Sequence, residues 1–101
     1  MSSKYNIRYL RTAECDLYGI FDYISRDNPT AAAALLEKID SSIALLSSNP
    51  NMGVVPKDIR LKNKGYRVLV VEKYLVFYIV KSKTIQIRRV LHGARKYNSL
   101  L

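Results

Sequence analysis

Three apolar runs, set close together in the second half of the chain, constrain the fold more than any other feature: YRVLVV at Tyr66–Val71, YLVFYIV at Tyr74–Val80 and TIQIRRVLH at Thr84–His92. All are rich in β-branched or aromatic residues, which suit a pleated, half-buried surface. Only Glu72-Lys73 separates the first two, and Ser82-Lys83 leads into the third. Links that short leave no room for a crossover, so consecutive strands must run antiparallel. The middle run is apolar almost without a break. That points to burial on both faces and a central place in the sheet.

The first half reads differently. Tyr5, Ile7 and Tyr9 alternate with Lys4, Asn6 and Arg8, the period of a half-buried strand. Thr12 is a candidate helix cap, with Glu14 favourably placed near the helix dipole. Ala13, Leu17, Ile20, Phe21 and Ile24 then form an apolar stripe at helical spacing, ending at Arg26-Asp27-Asn28. Asn28-Pro29 has the form of an N-cap followed by proline at the first helical position. The AAAALLEKIDSSIALL that follows is strongly helical, with Leu35, Ile39, Ile43 and Leu46 on one face and Leu36 widening it. Ser47-Ser48-Asn49-Pro50 stops it. Residues 50–65 read as a long loop with a short helical turn near Pro56-Lys57-Asp58, and loops of this length are often functional. The expected fold is α+β: an N-terminal strand, a helical hairpin, then a three-stranded antiparallel meander, with the helices on one face of the sheet. At 101 residues a single domain, 1–101, is expected.

Charge divides at the same boundary. Residues 1–56 carry five Lys/Arg and six Asp/Glu, whereas residues 57–101 carry twelve Lys/Arg and only Asp58 and Glu72. The first part is therefore net −1 and the second net +10. A field segregated in this way favours an anionic partner over mere solubility. No apolar run approaches the roughly 20 residues of a bilayer span, so no membrane association is expected. MSSKYNIRY has no apolar core of a secretion signal. Cys15 stands alone, which fits a reducing cytoplasm, and its place on an apolar-patterned helix suggests inert burial.

Few residues can carry chemistry. Neither metal-ligand spacing nor a glycine-rich phosphate loop is present, so no metal and no cofactor are expected. Basic residues of the second half remain: Arg67, Arg88, Arg89, Arg95 and Lys96, with His92 and Tyr97 among them. Strict alternation sends Arg88 and Arg89 to opposite faces unless a bulge intervenes, and puts Arg89 on the face of Ile85 and Ile87. An arginine there must be paired or reach past the sheet edge. His92 as a neutral imidazole could serve as a base, with arginines stabilising a phosphate-centred transition state and the RNA 2′-hydroxyl as nucleophile. Tyr97 could stack on a base. Tyr66, Tyr74 and Tyr78 suit packing with the hydroxyl outward.

Taken together, the chain resembles the RelE/ParE superfamily of bacterial toxin–antitoxin toxins, closer to the ParE-like branch. AECDLYGIFDYISRDNPTAAAALLEKIDSSIALLSSNPNMG looks like the family's helical hairpin, with its A-x-x-D-L-x-x-I-x-x-Y opening and closing N-P-x-x-G. GYRVLVV, YLVFYIV and IRRVLHGAR look like its last three strands. This resemblance implies a toxin of a plasmid-stabilisation type, inhibiting DNA gyrase and held in check by a cognate antitoxin. On that reading Arg67, Arg88, Arg89, His92, Arg95, Lys96 and Tyr97 contact the target, and none is catalytic. The RelE-like alternative is a metal-independent, ribosome-dependent mRNA endoribonuclease using His92, Arg95 and Tyr97. Leu75 after Tyr74, and Leu69 two residues after Arg67, depart from the basic residues RelE-like nucleases carry there. A non-toxic basic binding module is the third reading.

Overall fold

The computed structural model describes residues 4–94 and 100–101. Its elements are β1 (Asn6–Tyr9), α1 (Arg11–Ser25), α2 (Pro29–Ala44) continued by a 3-10 turn over Leu45–Ser47, α3 (Ile59–Asn63), β2 (Tyr66–Val71), β3 (Tyr74–Lys81) and β4 (Thr84–His92). The sheet order is β1-β4-β3-β2. β2, β3 and β4 form the antiparallel meander, and β1 closes the other side by running parallel to β4. β3 is interior, as its unbroken apolar run requires. This is the expected α+β arrangement. Among the described residues no helix is long and apolar enough to cross a membrane.

Local chemistry accounts for the hairpin. Asn28 caps α2 by accepting the Ala31 N–H at 3.0 Å, and Pro29 occupies the first helical position. α1 differs from expectation at its start. Leu10 is the capping position and Thr12 lies inside the first turn. The Thr12 hydroxyl instead donates to the Arg88 carbonyl at 2.8 Å, so it serves the sheet rather than its own helix. Ala13 is fully buried, and Leu17, Ile20 and Ile24 are partly buried. Phe21 sits at the rim of the stripe, on the exposed side. Cys15 is exposed rather than buried. At about 100° per residue it lies some 200° round the helix from Ala13, away from the stripe.

Between hairpin and sheet is the main core: Ile39, Ile43 and Leu46 meet Leu69, Val71, Val76, Tyr78, Ile85, Ile87 and Val90. Burying each large aliphatic side chain stabilises the fold by about 1.5–3 kcal/mol. Tyr78 is fully buried, hydroxyl included, contrary to the outward orientation expected of it. The hydroxyl donates to the Pro50 carbonyl at 2.8 Å and accepts the Gly53 N–H at 2.9 Å, pinning the segment after α2 to the sheet. A Cβ on Gly53 would stand 2.7 Å from that hydroxyl and 2.9 Å from the Val68 carbonyl, so only glycine fits. Burial pushes the Tyr78 phenol up. On the same side the Tyr9 hydroxyl donates to Asp40, and burial together with that carboxylate holds the Tyr9 phenol far above its ordinary range.

The opposite face has a lighter cover. Tyr66, Val68, Phe77, Ile79 and Leu91 are packed by Leu61 of α3 and by the partly buried Leu75, Leu100 and Leu101. α3 starts at Ile59, slightly later than the expected turn, where Asp58 accepts the Arg60 N–H at 2.9 Å. That bond holds the Asp58 carboxyl below its ordinary value.

Candidate functional site

Arg88 and Arg89 lie toward the end of β4. β1 ends opposite Ile87, and beyond it the edge of β4 is served by the start of α1. The Leu10 N–H reaches the Ile87 carbonyl at 2.9 Å, the Thr12 hydroxyl takes the Arg88 carbonyl, and Asp16 accepts the Val90 N–H at 3.0 Å. A helix N-terminus thus replaces a strand as the partner of this edge. Polar backbone groups that would otherwise be left unpaired are satisfied.

Within this segment β4 bulges. Phe77 pairs with Arg89 while the next residue, Tyr78, pairs with Ile87, so Arg88 is the extra residue. The bulge returns Val90 to the hairpin-side core and turns both arginines toward the opposite face. The alternative in which Arg89 shares the face of Ile85 and Ile87 is therefore not realised. The extra residue resolves the conflict between a cation and an apolar core.

The two arginines have different surroundings. Arg89 binds Asp16 through two parallel hydrogen bonds, Nε to Oδ2 at 2.8 Å and Nη2 to Oδ1 at 2.9 Å. Its Nη1 donates to the Leu100 carbonyl at 3.1 Å. Both side chains of the ion pair are largely buried, 19% and 12% exposed. Hydrogen bonding to Asp16 raises the Arg89 pKa, holding the guanidinium in its charged form. Arg88 has no carboxylate partner among the described residues. It donates to Gln86 Oε1 at 3.1 Å and lies over the Tyr66 ring, 5.8 Å from its centre. Arg88, Arg89 and Tyr66 line a small cleft of about 170 Å³ with Thr12, Leu100 and Leu101.

The other expected contact residues lie elsewhere. Arg67 is on the hairpin side of β2, donating to the Gly53 carbonyl at 2.7 Å and, at 3.4 Å, to that of Asn51. His92 also turns to the hairpin side, edge-on to the Tyr74 ring at 5.3 Å. Its Nδ1 accepts the Ala94 N–H at 3.1 Å, which leaves Nε2 to carry the ring proton of the neutral form. With Cys15, Tyr23 and Tyr74 it borders a cleft of about 490 Å³ between α1 and the sheet. Arg95, Lys96 and Tyr97 lie outside the described residues. Among the described residues, then, Arg88 and Arg89 are brought together, while Arg67 and His92 are not brought to them.

Two contributors escape a reading confined to the last strand. Asp16 fixes Arg89 from α1, 73 residues away in sequence. Its signal is the D of the A-x-x-D-L pattern, a carboxylate flanking an apolar stripe. α3 adds the exposed Arg60 and Lys62 on the same side of the sheet as Arg88, because Leu61 between them anchors there. Lys64 follows, donating to the Leu101 backbone oxygen at 3.5 Å. Of the acids of this half, Asp58 caps α3 and also pairs with Arg60 at 3.7 Å, while Glu72 pairs with Lys38 at 3.1 Å. Among the described residues no group of His, Cys, Asp and Glu could hold a metal ion.

Comparison with known proteins gives this geometry a family. The family model of the ParE toxin of type II toxin–antitoxin system, parDE, matches residues 7–97. The chain belongs to the ParE toxin family. The match takes in α1, the meander and the end of β4 together. A chain in the structure of a chromosomal ParDE toxin–antitoxin system from P. aeruginosa is similar to it, with TM-score 0.74 and 26% identity, over 90% of this chain and 98% of that one. A chain of the RelBE2 toxin–antitoxin complex from Mycobacterium tuberculosis shares the fold, with TM-score 0.59 and 24% identity, over 88% of this chain and 98% of that one. No curated protein sequence matches significantly. The ParE assignment agrees with the ParE-like branch inferred from the strand endings, and the α+β layer is the fold these toxins share.

Proposed function

We propose that this ParE-family toxin inhibits DNA gyrase and is neutralised by a cognate antitoxin. The observation that carries this reading is the match to the ParE family model across residues 7–97. The partner in the P. aeruginosa ParDE system supports an antitoxin for this chain too. On this reading Arg88, the α3 cations and the basic residues Arg95 and Lys96 meet the anionic surface of gyrase or its bound DNA, and Tyr97 adds aromatic contact. Each charge-assisted contact stabilises the complex by about 1–3 kcal/mol. Arg89 is a positioning residue: with its guanidinium held by Asp16, it fixes the end of β4. A gyrase target places the toxin's action in the cytoplasm.

One preparation of the purified protein, assayed in parallel for gyrase supercoiling and for cleavage of translated mRNA on ribosomes, tests this. Inhibited supercoiling with intact mRNA is expected, and Arg88→Ala should weaken the inhibition while leaving the fold intact. Intact supercoiling with cleaved mRNA would replace this reading with the endoribonuclease one. Inactivity in both assays, together with normal growth of cells expressing the chain, would leave a basic binding module.

A further inference from the structure

Large apolar side chains are unevenly exposed over this molecule. Among the described residues nine are exposed, and five of them, Met52, Val54, Val55, Ile59 and Val70, belong to β2 or to the segment that leads into it from the hairpin. Register puts part of this set on one face. Val54 and Val68 exchange two backbone hydrogen bonds, of 2.9 and 2.8 Å, and residues opposite each other in this way share a face. Val68 is on the side covered by α3, so Val54 is too, and so is Val70 two residues further along β2. Leu75 stands directly opposite Val70 on β3. Val54 and Val70 are each 61% exposed, although Val68 between them is buried. Apolar residues scattered singly over a surface need no explanation, whereas a cluster marks an interaction.

The segment is pinned from inside. The Tyr78 hydroxyl bonds to Pro50 and Gly53, the Arg67 guanidinium donates to the carbonyls of Asn51 and Gly53, and Leu61 is buried. Its outward side chains are therefore presented in a fixed arrangement, which lowers the ordering cost of binding. Cations are interleaved with them. Residues 52–64 hold Lys57, Arg60, Lys62 and Lys64, all exposed, against one acid, Asp58. That acid is already engaged by the α3 cap and by Arg60.

We infer that this surface, with Val54, Ile59 and Val70 as its apolar part and Lys57, Arg60 and Lys62 as its charged part, binds the protein surface of gyrase and not its DNA. The inference rests on the gyrase reading above and names the contact that reading requires. A polyanion needs cations alone, and branched aliphatic side chains gain nothing from phosphates: interfaces with DNA are more polar and more positively charged than those between proteins. A protein interface instead joins an apolar centre to a polar rim. The occupant is therefore a patch of aliphatic side chains bordered by carboxylates, complementary in both respects. A second copy of this chain is the wrong occupant, since each copy carries a formal charge of +9 and would set the same cations against these.

Binding of the full chain to DNA-free gyrase holoenzyme, measured by biolayer interferometry beside a supercoiling assay, tests it. The triple variant Val54→Thr, Ile59→Thr, Val70→Thr keeps the β-branching and removes apolar surface. It should bind about tenfold more weakly and inhibit less, with an unchanged melting temperature. Arg60→Gln with Lys62→Gln should slow association and flatten its salt dependence. Wild-type affinity in the triple variant overturns the inference and leaves the gyrase reading standing. So does binding that needs DNA and is untouched by the triple variant, since DNA would then be the occupant. A wild-type chain that neither binds nor inhibits gyrase removes the gyrase reading and this inference with it. Should the triple variant melt lower, Ile59→Thr alone decides: it lies outside the sheet, and must weaken binding about threefold for the inference to stand.

Discussion

The two faces of the sheet are held by different means. On the hairpin side, two long helices seal a core in which Ile39, Ile43, Leu46 and Tyr78 are completely buried. On the other side a five-residue helix contributes one anchor, Leu61, and the half-buried Leu100 and Leu101 add the rest. Most of the stability resides on the first face, and the cations of α3 and the bulged strand lie on the second. The lesson is a division of labour: the thinly covered face is free to carry exposed cations such as Arg60 and Lys62 because the other face holds the fold.

The sharpest test of that division is a pair of truncations. Ile43→Ala should cost about 2–5 kcal/mol through lost burial and the cavity left behind. Leu100→Ala should cost less than about 1 kcal/mol, since that side chain is only half buried. Urea unfolding of both variants measures this, and similar losses would break the comparison.

Next in size is the contrast between neighbouring arginines. Asp16→Ala strands the Arg89 guanidinium and the Val90 N–H together, and should destabilise by about 2–3 kcal/mol. Arg88→Ala should change stability by less than about 1 kcal/mol, and its effect should be read in target inhibition instead. If thermal melting shows Arg88→Ala to be the more damaging variant, the assignment of positioning and contact roles is reversed.

A smaller effect, of opposite sign, is expected at the second hairpin link. Ser82 adopts φ 53°, a left-handed conformation that costs a residue with a Cβ. Ser82→Gly should stabilise the β3–β4 hairpin by about 0.5–1 kcal/mol, measured by chemical denaturation.

The smallest effect separates the faces by pH. Tyr9 and Tyr78, on the hairpin side, have raised phenol pKa values, so the stability they contribute is complete below the ordinary tyrosine value of about 10 and is lost as pH rises beyond it. Asp58, which caps α3, has a lowered carboxyl pKa, so its contribution is present above the ordinary aspartate value of about 4 and is lost as pH falls through the depressed one. Amide exchange should therefore show α3 loosening first in acid, and the segment pinned by Tyr78 loosening first in alkali. Tyr78→Phe should flatten the alkaline limb. The reverse order of loosening would contradict the assignment of these groups to the two faces.

The sequence by itself determined the strands, the antiparallel order of the last three and the second helix. Those features rest on local rules: a period of two in Tyr5–Tyr9, β-branched and aromatic runs such as Tyr66–Val71, links too short to cross over, and the Asn28-Pro29 cap. Each acts over a few residues and is complete within them. The family, too, was legible in the order of the hairpin and strand endings. Tertiary packing alone decided the rest. The bulge at Arg88 arises because Val90, not Arg89, must fill the core beneath the hairpin, a demand set by neighbours distant in sequence. Asp16 became the partner of Arg89, and Thr12 the partner of Arg88, only when β1 ended and α1 took over the strand's edge. Tyr78 turned its hydroxyl inward because Pro50 and Gly53 met it there, and Cys15 proved exposed because helix rotation, not average pattern, sets which side chains reach the core. A hydrogen-bond partner or the choice between two faces depends on long-range register, which no local run of residues encodes.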